Sequence, residues 1–230
     1  MPSENNLRYE LKITCAPYLL SQARSWLKLH PAGFRVPYPP RQVNNLYFDT
    51  LTLSNFNANQ VGVSVRQKLR LRWYGALRAR TAVAPTLELK LKENLLGDKK
   101  RQVLDCVVDW QRPFTEIVPI INQAAGPAWR PWLNTAVRPV LINCYRREYF
   151  ATYDGAIRAT LDYAQKAFDQ RMVVRPNLQR PSPLADLIVI ELKAAPGDSE
   201  RLQAVMAQFP IPRGRNSKYV NGIAATWKRE

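Results

Sequence analysis

Between Ser64 and Gly75 the chain reads SVRQKLRLRWYG. Arg66, Lys68, Arg70 and Arg72 occupy every second position, and Val65, Gln67, Leu69, Leu71 and Trp73 fill the places between them. An extended strand sends successive side chains to opposite faces, so this run predicts a strand with one apolar face and one face of cations. A helix cannot segregate it, because residues two apart point to different sides at 3.6 residues per turn. Any fold that accepts this strand must bury the apolar face and find anionic company for the other.

The pattern recurs along the chain. In RYELKI, Arg8, Glu10 and Lys12 oppose Tyr9, Leu11 and Ile13; in TLELKLKE, Glu88, Lys90 and Lys92 oppose Leu87, Leu89 and Leu91. In AIRATLDY, Arg158, Thr160 and Asp162 oppose Ile157, Ala159 and Leu161, and in VIELKA, Glu191 and Lys193 oppose Ile190 and Leu192. One such strand reads as an ordinary half-buried sheet with a solvated polar face. Five strands whose polar positions are almost purely Arg, Lys and Glu, with cations in excess, predict a lumen that holds the charges while Leu, Ile and Trp pack outward against helices. In an empty lumen two like charges ~4 Å apart repel by about 4 kcal/mol at an effective dielectric near 20. A bound polyanion with its metal turns that repulsion into attraction, so the four cations of the opening stretch are expected to face inward and grip a chain of phosphates.

The remaining patterns fill in the architecture. Strands are expected over 7–14, 43–48, 61–74, 85–93, 101–110, 138–151, 156–163 and 186–194, from period-two alternation and β-branched or aromatic content. Helical periodicity covers 16–29 and 198–209, and more weakly 114–124 and 217–228. The stretch 94–100, NLLGDKK, reads as a hairpin turn. Many strands with few, peripheral helices predict one α+β domain over residues 1–230, a closed antiparallel eight-stranded β-barrel with helices packed outside. Lys and Arg number 34 against 18 Asp and Glu, a formal charge of +16, which predicts polyanionic partners without specifying a fold. Cys15, Cys106 and Cys144 are widely spaced and match no metal pattern, so they are expected to be buried free thiols. The polar start, MPSENNLRYELK, lacks a signal-peptide core, and no stretch approaches the ~20 apolar residues of a membrane span. A cytoplasmic location is expected.

These residues resemble the catalytic domain of the vacuolar transporter chaperone (VTC) family, the polyphosphate polymerases of the triphosphate tunnel metalloenzyme, or CYTH-like, superfamily. The matching pieces run in order: RYELK (8–12), VNNLYFDT (43–50), VRQKLRLRWYG (65–75), LELKLK (87–92), CYRREYF (144–150), IRATLD (157–162), IELK (190–193) and NSKY (216–219). The resemblance implies an eight-stranded tunnel that holds the triphosphate of ATP and a growing polyphosphate chain. It places basic tunnel residues at Lys12, Arg70, Arg72, Lys90, Arg146, Arg158 and Lys218. Arg66, Lys68, Lys193, Arg215 and Ser217 are implied phosphate-binding neighbours, and Glu191 is the implied metal ligand. Where the wider superfamily carries E-x-E-x-K, this chain has Arg8, Glu10 and Lys12. The lost acid removes a potential metal carboxylate and favours retaining phosphate chains over hydrolysing them.

The chemistry follows. His30 is the sole histidine, which excludes histidine triads, multi-histidine zinc sites and a phosphohistidine intermediate; it is read as a surface or capping residue. No GxxxxGK[ST] loop is present. Phosphoryl transfer is mostly positioning and stabilisation of charge on phosphate oxygens, which Arg and Lys supply. Glu191, with Glu10 or Glu88, could hold Mn²⁺ or Mg²⁺, or each acid could instead orient the cations by ion pairing. Asp49 and Asp162 are read as structural, and Tyr47, Trp73 and Tyr74 as outer-core or tunnel-mouth packing. ATP and inorganic polyphosphate are the expected partners; nucleic acid is not expected, and any membrane partner would be separately encoded. Two other functions stay open: a tripolyphosphatase or nucleoside triphosphatase on the same barrel, and a non-catalytic polyphosphate-binding module.

Overall fold

The computed structural model describes residues 8–93, 96–136 and 138–227. Among the described residues ten strands form: β1 (Tyr9–Cys15), β2 (Arg41–Asp49), β3 (Val65–Tyr74), β4 (Thr81–Val83), β5 (Thr86–Glu93), β6 (Leu96–Val103), β7 (Val107–Asp109), β8 (Arg138–Ala151), β9 (Ile157–Asp169) and β10 (Ile188–Ala194). The helices are α1 (Leu20–Lys28), α2 (Ser54–Val61), α3 (Phe114–Ala125), α4 (Arg130–Leu133), α5 (Ser199–Ala207) and α6 (Lys218–Trp227). Eight strands make one sheet in the order β1-β10-β9-β8-β2-β3-β5-β6, and β4 pairs with β7 apart from it. The fold is thus α+β, with an eight-stranded antiparallel sheet.

The expected closed barrel is corrected to an open sheet: among the described residues its ladder ends at β1 on one edge and β6 on the other. Alternation dictates which face of each strand is buried, but it carries no signal for whether the last strand meets the first. The expected turn over 94–100 is also corrected. Glu93 pairs with Leu96 and β6 runs from Leu96 to Val103, so 96–100 are strand; residues 94 and 95 lie outside the described residues. The single strand expected over 101–110 divides into the end of β6 and the short β7.

The chain resolves into two compact units. The first comprises 1–41, 145–165 and 185–217. Its core takes Ile13 from β1, Ala159 and Leu161 from β9, and Ile190 and Leu192 from β10, packed with Ala23 and Leu27 of α1 and Leu202, Val205 and Met206 of α5. His30, read as a surface or capping residue, is corrected here to a buried one. It sits between Phe34 and Phe209, its Nδ1 accepts the Ala32 amide at 3.0 Å, and its Nε2 lies 3.1 Å from the Val205 carbonyl.

The second unit comprises 42–144, 166–184 and 218–230. Leu69, Leu71 and Trp73 of β3, and Leu87 and Leu89 of β5, pack with Ile117 and Ile121 of α3, Trp129 and Leu133. In each unit the apolar strand faces pack with helices, as alternation requires.

Candidate functional site

Each unit carries a charged strand face, built by register. In the second unit β3 pairs with β5 so that Arg70 lies opposite Glu88 and Lys68 opposite Lys90; β5 pairs with β6 so that Glu88 meets Arg101 and Lys90 meets Lys99. Arg66, Lys68, Arg70, Arg72, Lys90, Lys99 and Arg101 therefore share one face with a single described carboxylate.

That carboxylate, Glu88, is fully buried, with 0% exposure. Its Oε2 accepts from Arg70 Nε at 2.8 Å and lies 2.6 Å from Arg70 Nη2. Its Oε1 accepts from Lys99 at 2.9 Å and from Arg72 at 3.4 Å, with Arg101 Nε at 3.2 Å. Burial alone would raise the Glu88 pKa, but Arg70, Arg72 and Lys99 overcome it and hold the carboxyl well below the usual range. Its pairing thus stabilises the fold above the ordinary carboxylate pKa of about 4.3 and is lost only as pH falls through the much lower folded value. Lys99 shows the opposite strain. Burial depresses its pKa, Glu88 resists, Arg70 and Arg72 add to the depression, and the ammonium titrates at about 7. Its side chain is 36% exposed, so solvent screens part of the repulsion. One acid is too few for the cations around it.

Polar residues of β2 and β8 brace these guanidiniums. Arg72 Nε donates to Asn45 Oδ1 at 3.0 Å, and Asn45 donates to Asn143 at 2.9 Å. Arg70 Nη1 donates to the Tyr47 hydroxyl at 3.2 Å, and Tyr47 stacks on Tyr219 at 4.8 Å. The Tyr219 hydroxyl donates to Asp49, whose carboxylate also accepts the amides of Thr50, Asn55 and Phe56 at the start of α2. Tyr47 is 3% exposed; it joins this network and also packs in a core with Phe56, Val140 and Ile223. Tyr219→Phe removes one hydrogen bond to a buried carboxylate and is expected to cost about 1.5–3 kcal/mol, read as a lower urea midpoint with an unchanged slope.

In the first unit, β1 and β10 place Lys12 opposite Glu191 and Glu10 opposite Lys193; β10 and β9 place Glu191 opposite Thr160 and Lys193 opposite Arg158. Lys12 Nζ lies 2.7 Å from Glu10, 3.5 Å from Glu191 and 3.1 Å from the Asn216 carbonyl. Lys193 pairs with the other oxygen of Glu191. Burial opposes the charge on Lys12, yet Glu191 and Glu10 more than offset it and raise its pKa. The Gly214 amide donates to the Lys12 carbonyl at 2.7 Å, which ties the segment carrying Arg215 to β1.

Two consecutive arginines in CYRREYF part company. Arg147 donates bidentately to Asp162 at 2.6 and 2.7 Å, with its guanidinium over Tyr145. Asp162 is fully buried and shares the charged face of β9. Arg146 is exposed, and alternation turns it to the side of Phe150, which lies in the apolar core. The structure brings Arg147, and not Arg146, to the charged face.

Among the described residues no three His, Cys, Asp or Glu converge as a metal cage. Glu10 and Glu191 fit a cation that takes its other ligands from phosphate and water, as Mg²⁺ commonly does. Both approach one ammonium, and the Thr160 hydroxyl across from Glu191 is buried without a hydrogen-bond partner. Glu88, saturated by four cations, does not offer that opportunity. Sequence reasoning missed Lys99 because a turn was expected over 94–100, and it left Arg101, the first residue of the strand expected over 101–110, unassigned; their spacing, two apart, was the available signal. Asn45 and Asn143 had none, whereas alternation with Arg158 and Asp162 had already set Thr160 on the charged face.

Comparison with known proteins follows this geometry. Residues 7–227 match the family described as the VTC domain. A candidate adenylate cyclase from Vibrio parahaemolyticus is structurally similar, with a TM-score of 0.54, 15% identity, and coverage of 94% of this chain and 97% of that one. A candidate adenylate cyclase from Bacillus halodurans gives a TM-score of 0.54 at 14% identity over 92% and 94%. At that identity the likeness establishes fold alone. No curated protein matches the chain.

Proposed function

The chain belongs to the VTC domain family, and from that premise we propose that it is an ATP-dependent polyphosphate polymerase, transferring the γ-phosphate of ATP to the end of a polyphosphate chain. The supporting observation is the β3-β5-β6 face: seven cations ordered around one fully buried carboxylate, with charge left over for a polyanion.

In this reading Arg70 and Arg72 clamp non-bridging phosphate oxygens, and Glu88, Asn45 and Tyr47 hold the two guanidiniums in place. Lys68, Lys90, Lys99 and Arg101 extend the anion surface. In the other unit Lys12, Lys193, Arg158 and Arg147 serve phosphate groups, with Arg215 and Ser217 as further contacts; Arg66 and Lys218 are further contacts of the second unit. Glu191 and Glu10 are the residues that would hold Mn²⁺ or Mg²⁺. Such an ion would neutralise charge developing on the leaving group. The terminal phosphate of the acceptor chain attacks the γ-phosphorus, the bond to the β,γ-bridging oxygen breaks, and ADP leaves. A phosphate terminus is largely ionised near neutral pH, so no strong base is needed, in keeping with a sole histidine that lies buried. The reading treats residues 1–230 as one functional domain drawing on a cytoplasmic ATP pool. No helix of the described residues is long and apolar enough to cross a membrane.

Incubation of pure protein with ATP and Mn²⁺ tests the reaction. Long polyphosphate with stoichiometric ADP is the expected product; orthophosphate alone would assign a hydrolase, and no turnover a binding module. A second expectation concerns pH. Protonated Lys99 favours anion binding, and its free-state pKa is about 7. Affinity for long-chain polyphosphate, whose internal phosphates stay ionised, should therefore fall above pH ~7, by at most about tenfold per unit. Lys99→Met should flatten that slope in an anisotropy titration.

A further inference from the structure

The second unit also holds a cavity of about 350 Å³ lined by Arg78, Arg80, Trp110, Leu178 and Arg180 among others, a size typical of small-molecule sites. It is separate from the charged face. Trp110 packs against Trp73 with ring centroids 4.3 Å apart and planes tilted by 32°, and Trp73 leaves β3 on the side opposite Arg72.

Its walls are fixed by the backbone. The Trp110 amide donates to the Arg80 carbonyl at 2.9 Å. Gln170, 2% exposed, accepts the Asn177 amide at 2.8 Å and donates to the Asn177 carbonyl at 2.9 Å. Asn177 Oδ1 in turn accepts the amides of Gln179 and Arg180 at 3.2 and 3.0 Å. The cavity is therefore formed before any ligand arrives.

Its chemistry is one-sided. No acidic side chain lines it. Arg80 is shared with Asp109 at 3.2 Å, but among the described residues the side chains of Arg78 and Arg180 make no hydrogen bond or ion pair. Trp110, only 4% exposed, has an indole N–H without a partner, and orphaned buried donors are rare enough in folded proteins to call for an explanation. Guanidiniums bind phosphate bidentately, while Leu178 and the indole supply an apolar floor.

We propose that this cavity is a second ligand site, one that takes a small, multiply charged phosphate-bearing anion. The phosphate comes either from a soluble oligophosphate or from a lipid headgroup, and the proposal stands whether or not the chain is a polymerase.

The test is the indole N–H resonance of Trp110, assigned through Trp110→Phe, in the ¹⁵N-labelled full chain. Titration with tripolyphosphate is expected to move that resonance saturably, and Arg78→Gln/Arg180→Gln is expected to weaken the effect at least tenfold. Both side chains are exposed, so the double variant should fold normally. If the headgroup is the source, tripolyphosphate is silent, and the protein floats with vesicles containing phosphatidic acid but not with phosphatidylcholine alone, again dependent on the two arginines. Silence toward both probes, or an undiminished response in the double variant, overturns the proposal.

Discussion

Glu88→Gln is expected to lower the melting temperature by roughly 10 °C and to make stability strongly dependent on added phosphate. The substitution is nearly isosteric, so packing barely changes. It removes the one described acid facing Arg70, Arg72, Lys99 and Arg101, which lie within 2.6–3.4 Å of it. Breaking a buried ion pair from one side costs about 3–5 kcal/mol, because the partner charge is left uncompensated; for a chain of this length each kcal/mol shifts the melting temperature by about 2–4 °C. Tripolyphosphate should then do in trans what the carboxylate did in cis. At 100 times its Kd a ligand adds about 2.7 kcal/mol, and the variant should recover more than the parent does. A variant melting like the parent, or one indifferent to tripolyphosphate, would show that the cluster is a set of independent solvated cations.

Glu191→Gln carries the largest expected effect on turnover. Glu191 is 7% exposed, faces Lys12 and Lys193, and lies across from the unpartnered Thr160 hydroxyl. If it carries the metal, loss of its charge should cut kcat roughly 100-fold while polyphosphate affinity holds or improves, since a negative charge has left a phosphate surface. Elevated metal should partly restore the rate. Equal losses in rate and in polyphosphate affinity, with no response to metal, would instead mark Glu191 as a residue that only positions Lys12 and Lys193.

Much of this is legible in the sequence. Period-two alternation placed Leu69, Leu71, Leu87 and Leu89 in a core and grouped Arg66, Lys68, Arg70 and Arg72 on the other face, because one residue of slip would exchange the two sets. The motif order of the whole chain carried the family. Four things were not legible, each for a physical reason. Closure depends on how the edge strands β1 and β6 end, which side-chain patterning does not encode. Lys99 was hidden by a glycine and an aspartate that read as turn residues, and Arg101 by standing at the first position of a separately expected strand. Arg146 and Arg147 are chemically identical neighbours, and only pairing with Asp162 shows which one joins the charged face. His30 was misjudged because a lone histidine before a proline looks like a helix end, when two phenylalanines distant in sequence enclose it.

The central claim is that the cationic strand faces exist to hold phosphate. A crystal structure of the chain with a non-hydrolysable ATP analogue and Mn²⁺ tests it most directly. The expected result is phosphate oxygens within hydrogen-bond distance of the Arg70 and Arg72 guanidiniums, with Glu88 still bracing them from behind. A triphosphate bound elsewhere, with both arginines engaged only by Glu88 and protein neighbours, would contradict it.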